Sequence, residues 1–147
     1  MEKKNILIIF LTAISIIIVY GGILLINYDT LVDVVPTHIN YKGEVDGYNY
    51  KYHLWIATFV NLILVLALKW AINNPHKLNY PVEITEKNKK DMYYKMQLFL
   101  SYLCVFTSLV FSLMIFNALN FNSKSVLYIL SSIILPPILF TIIFNKK

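Results

Sequence analysis

The chain has no arginine; all thirteen of its basic residues are lysine. Arginine supplies the planar fork that best suits phosphate and base edges, so its absence argues against nucleic acid as a partner. There is one cysteine, Cys104, set inside an apolar run, so no intrachain disulfide can staple the fold and no CxxC or Cys/His zinc spacing exists. A lone cysteine there reads as a small packing residue. Charge is also scarce. Only 14% of the 147 residues are Asp, Glu, Lys or Arg, while 58% are hydrophobic. A disordered chain needs the reverse balance, and a soluble domain usually carries about 25% charge. What remains is a polypeptide with much of its surface facing lipid.

Long apolar runs are what the chain has in abundance. A spanning helix takes about 20 mostly apolar residues, and four segments meet that length: roughly 6–26, 54–72, 98–117 and 126–144. The first follows Lys3 and Lys4, as a signal peptide would. It exceeds an h-region in length and no A-x-A-like cleavage site follows it, so the expectation is a retained helix. Trp55 and Trp70 bracket the second, Lys69 lies near its end, and Asn61 sits near its middle. Ser101, Cys104, Val105, Ser108 and Ser112 recur at three- and four-residue steps on the third, a stripe that admits a close neighbour; Gly21-Gly22 and Ser131-Ser132 offer the same on the first and fourth. Pro136 and Pro137 should kink the fourth.

Lysines orient the spans. The N-terminal tail carries Lys3 and Lys4, the connection at 73–97 carries Lys77, Lys87, Lys89, Lys90 and Lys95, and the end carries Lys146 and Lys147. The other two connections have Lys42 with Lys51, and Lys124. The positive-inside bias therefore predicts cytoplasmic termini, a cytoplasmic connection at 73–97, and outer loops at 27–53 and 118–125. The expected architecture is an all-α membrane protein, a single domain of four helices in a bundle.

The outer loop at 27–53 departs from the rest in charge. Asp29, Asp33, Glu44 and Asp46 outnumber Lys42 and Lys51, and Tyr28, Tyr41, Tyr48, Tyr50 and Tyr52 crowd the same stretch. Pro36 fixes the approach to His38, and Gly43 and Gly47 permit turns around Asp46. Two readings compete here. His38 and Asp46 can hydrogen-bond and hold the loop's shape, or they can join His53 around a metal, although the spacing follows no strong metal pattern. The tyrosines read as an interfacial anchor. They also suit a cationic amphipathic peptide, which carboxylates would steer in and aromatic rings would cover.

In the connection at 73–97, Pro75 ends the second helix and Asn79-Tyr80-Pro81 is an extended or turning element. Thr85 is the expected N-cap of a helix that starts at Glu86 and runs into the third span. Capping and topology account for these residues without a partner; the lysines also suit anionic headgroups. No HExxH, GxSxG or phosphate-cradling glycine loop occurs in the chain. A transporter would show inverted repeats and paired broken helices, and an ion path would need ionisable groups at mid-membrane; neither pattern is written here. The expectation is a protein that is not an enzyme and carries no cofactor.

Two motifs together resemble a known family. Pro36, His38, Gly43 and Asp46, with Gly47 and Lys51, resemble the P-x-H-x4-G-x2-D signature of the SdpI-like bacterial membrane proteins, and most closely the short members of unknown function that share their N-terminal domain. Pro75, Asn79, Tyr80, Pro81, Thr85 and Asn88 resemble the N-Y-P…T-x-x-N element of those short members. The resemblance spans roughly 5–117. It departs from the longer members, whose extra helices are missing, and Leu31-Val32 stand where a proline is common.

The resemblance implies a bacterial plasma-membrane protein that protects its producer from a secreted peptide, and, in SdpI itself, one that holds a repressor at the membrane. The expected partners are thus the bilayer, a secreted cationic peptide and a cytoplasmic regulator. The rival reading is a sensor or partner subunit that docks such a regulator through residues 79–94.

Overall fold

A computed structural model describes residues 2–40, 44–119 and 142–144. Three long helices dominate it: α1 (Glu2–Asn27), α2 (His53–Asn73) and α3 (Lys89–Ala118). All three are long and apolar enough to cross a membrane. In hydrocarbon no water can satisfy a peptide group, so a continuous apolar run must close its backbone hydrogen bonds within itself. The charge-free stretch from Ile6 to Ile26 and its counterparts therefore have one choice. Their surfaces agree: Ile18, Leu25, Phe59, Ile63 and Leu66 stand exposed, as lipid-facing side chains do. The expected fourth span at 126–144, with Ser131, Ser132, Pro136 and Pro137, lies outside the described residues except for 142–144, which are helical.

Contacts along the helices fix their directions. Tyr28 beyond the end of α1 meets Trp55 at the start of α2, with ring centroids 6.1 Å apart. Tyr20 meets Asn61, and Lys69 reaches Phe10. The two helices are therefore antiparallel. Gln97 on α3 donates from Nε2 to the Ile72 carbonyl at 2.8 Å, while Leu109, Ser112 and Phe116 lie beside α1 residues 12–20. Hence α3 runs alongside α1 and against α2. The small-residue stripe is the packed face of α3: Ser101, Cys104, Ser108 and Ser112 are buried, and Val105 is half-buried. Gly21 and Gly22 behave otherwise. A Cβ at either would meet nothing within 4 Å, so none of the described helices approaches them closely.

Two expectations about the connections need correction. The segment at 27–53 is not only loop. It holds an antiparallel hairpin, β1 (Val34–Ile39) and β2 (Val45–Tyr50). Sequence alternation hid it because most of β2 faces solvent on both sides. In the second connection α3 begins at Lys89, preceded by Asn88, rather than at Glu86 behind a Thr85 cap. The Thr85 N–H is bound by Asn88 Oδ1 at 2.8 Å, and Asn88 Nδ2 donates to the Glu83 carbonyl at 2.9 Å. The asparagine side chain thus stitches a turn over 83–88 and delays the helix, as side chains of this type do when they bond to nearby backbone.

Candidate functional site

The hairpin gathers most of the outer motif at one end. Register pairs His38 with Gly47 and Pro36 with Tyr48, with irregularities between Pro36 and His38 and between His38 and Ile39. A Cβ on residue 47 would lie 2.7 Å from the His38 Cβ, so only glycine lets the histidine lie across the opposite strand. His38 Nδ1 then donates to the Asp46 carboxylate. That bond orients the ring across the strands. The pair is exposed, with 69% and 43% of the two side-chain surfaces accessible. Asn49 Nδ2 donates to Thr37 Oγ1 at 2.8 Å across the strands. At the tip, the Asn40 N–H donates to the Glu44 carbonyl at 2.9 Å, and the Glu44 N–H to Asn40 Oδ1 at 3.0 Å. Gly43 lies outside the described residues.

Lys51 works at the other end of the hairpin. Its N–H donates to the Asp33 carbonyl at 2.8 Å. Its ammonium donates to the Leu31 carbonyl at 3.1 Å, lies 3.4 Å from the Asp33 carboxylate and sits 5.3 Å over the Tyr28 ring. One side chain therefore ties the strand that leaves the hairpin to the strand that enters it. Val35 plugs the same region into the helices and is almost fully buried. Around this frame, Tyr48, Tyr50 and Tyr52 are each more than half exposed. Tyr50 stacks on Tyr52 and Tyr52 on His53, with centroids 6.0 and 4.3 Å apart. The result is an aromatic ladder on a segment that also carries Asp33, Glu44 and Asp46. His53 turns away from His38: its Nδ1 bonds the Tyr50 carbonyl at 3.0 Å. Among the described residues no group of three His, Cys, Asp or Glu side chains is placed to hold a metal.

The second motif orders the connection between α2 and α3. Pro75 opens a short 3-10 turn, Pro75–Lys77. The Tyr80 hydroxyl donates back to the Pro75 carbonyl at 2.8 Å, and its ring stacks on Tyr93, 5.6 Å away. Burial, and secondarily Tyr93, push the Tyr80 phenol up to about 12. Asn79 and Pro81 remain exposed. The motif thus forms two separate knots, Pro75 with Tyr80 and Thr85 with Asn88.

Sequence reading missed one polar contact deep in the bundle. Asn61 and Tyr20 are both fully buried, and Asn61 Nδ2 donates to the Tyr20 hydroxyl at 2.8 Å, with Thr58 beside the same phenol. Asn61 Oδ1 and Ser108 Oγ have no partner among the described residues. The Ile72–Gln97 bond sets a common level, and Asn61 and Ser108 each lie three helical turns from it, so they share a depth. A mid-span asparagine was the available signal; its partner, 41 residues away, was not.

Residues 7–62 match the model of a family described as a domain of unknown function, DUF1648. That segment takes in most of α1, the hairpin and the first half of α2. No curated protein and no solved structure matches the chain.

Proposed function

We propose that this is a non-enzymatic, SdpI-like integral membrane protein of the bacterial plasma membrane, a bundle of four helices with both termini in the cytoplasm. In this reading the hairpin faces outward and receives a secreted cationic peptide, which protects the producing cell. The observation that carries it is the hairpin: a frame tied by the His38–Asp46 and Lys51–Asp33 contacts, on which exposed tyrosines and exposed carboxylates share one short segment. Carboxylates raise the local concentration of a cation at low salt, and aromatic faces then cover its apolar side. The lysine bias toward the opposite ends of the helices supports the orientation. The resemblance carried by Pro36, His38 and Asp46 supports the grouping, and these residues lie in the segment that matches the domain of unknown function. Deleting the gene and challenging the cells with peptides secreted by the producer and its siblings tests it. Sensitivity should rise for at least one cationic peptide, and an unchanged panel removes the reading.

A second reading is supported by the order in the connection between α2 and α3. The Tyr80–Pro75 and Asn88–Glu83 bonds hold residues 75–88 in one shape and leave Val82 exposed, as a docking segment for a cytoplasmic regulator would need. Photocrosslinking from position 82 in cells should then capture one specific protein, and capture of lipid alone counts against it.

A further inference from the structure

At the lysine-rich end the three helices border a half-open cavity of about 360 Å³, lined by Ile6 and Leu7 of α1, Lys69, Ile72 and Asn73 of α2, and Gln97 of α3. Its two halves differ in chemistry. Ile6, Leu7 and Ile72 form an apolar wall, and Leu7 continues onto the exposed, lipid-facing surface. The opposite side carries only N–H donors and amide groups. Lys69 brings an ammonium, Asn73 a carboxamide, and Gln97 the second N–H of an amide whose first already covers the Ile72 carbonyl. By occupying that carbonyl, Gln97 removes an acceptor that would repel an anion.

Among the described side chains no carboxylate lines the cavity and none pairs with Lys69. Its half-buried ammonium lies 4.6 Å over the Phe10 ring, a contact that tolerates a cation without neutralising it. A partly desolvated charge held this way is best satisfied by a fixed counter-ion with several acceptor oxygens. The apolar wall asks that the same molecule bring hydrocarbon.

We infer that this cavity is a binding site for one anionic phospholipid, with its phosphate on Lys69, Asn73 and Gln97 and the head of an acyl chain along Ile6 and Leu7. An inorganic phosphate shares the donor half and gains nothing from the wall. The site is independent of the hairpin and of whatever the hairpin receives.

Native mass spectrometry of the full chain in detergent tests this, with phosphatidylglycerol, phosphatidylcholine of the same chains, and inorganic phosphate as probes. The wild-type chain should retain one phosphatidylglycerol in preference to phosphatidylcholine. Lys69→Met keeps the stem over Phe10 and deletes the charge, and should lower occupancy about tenfold, the loss of a charged hydrogen bond. Lys69→Arg should retain the lipid, as should Lys77→Met, which removes an exposed lysine at the same end. Asn73→Ala, at an exposed position, should weaken binding about threefold and serves if Lys69→Met does not fold. Equal retention of phosphatidylcholine, unchanged binding by both Lys69→Met and Asn73→Ala, or displacement of the lipid by inorganic phosphate alone would overturn the assignment.

Discussion

Two side-chain hydrogen bonds set the extremes of this molecule. Tyr20 and Asn61 join α1 to α2 with no surface left to solvent or lipid, whereas His38 and Asp46 join two strands in the open. The second pair carries formal charge and the first does not, yet the first matters more for the fold. An exposed pair trades one set of water contacts for another and is screened by salt. A buried amide and phenol have no water to return to, and the Tyr20 ring also fills the space between helices. The lesson is one of placement: the bundle's stability rests on neutral groups, and charge is kept at the two ends, where it can meet other molecules.

Tyr20→Ala should break the most. It removes the buried ring and strands the Asn61 amide, and should cost about 3 kcal/mol, at the low end for an aromatic truncation because lipid tails are as apolar as the core it leaves. Thermal or SDS unfolding in detergent reads it. Gly47→Ala comes next, at about 1–3 kcal/mol of overpacking against His38, confined to the hairpin. Amide exchange should quicken across β2 while the unfolding midpoint of the bundle holds. A midpoint that falls as far as for Tyr20→Ala would make hairpin and bundle one cooperative unit and dissolve the contrast.

His38→Ala should cost less than about 1 kcal/mol, and a double-mutant cycle with Asp46→Asn should lose its coupling at about 1 M salt. Coupling that survives high salt would place this pair with the buried one.

Tyr80 is the intermediate case, partly buried but outside the spans. Its folded pKa lies above the free value of 10.0, so its contribution to stability is complete below pH 10 and is lost as pH rises toward 12. A phenolate absorbance titration should lose a late component in Tyr80→Phe, at a cost of about 1 kcal/mol at neutral pH for the lost bond to the Pro75 carbonyl.

The three described spans were legible because lipid leaves a long apolar run only one solution, and the buried serine stripe of α3 followed from its three- and four-residue spacing. The His38–Asp46 tie was legible as one of two alternatives, since a histidine and a carboxylate eight residues apart can meet across a turn. The hairpin itself was not, because period-two patterning appears only where one face is buried, and in β2 most residues are wet. Gly21-Gly22 show another limit. Small residues permit close packing without requiring it, and among the described residues nothing would meet a Cβ at either. Thr85 misled because a turn over 86–88 comes between it and the regular helix, which starts at Lys89.

The length of α3 has a mechanical consequence. Thirty residues make a rod of about 45 Å, against a hydrocarbon slab of about 30 Å. Its sequence contains neither proline nor glycine to act as a joint. Lys89, Lys90 and Asp91 therefore sit on an outrigger rigidly continuous with the part of the helix that packs against β1. A tilt imposed at the one end must swing the other through the thickness of the bilayer.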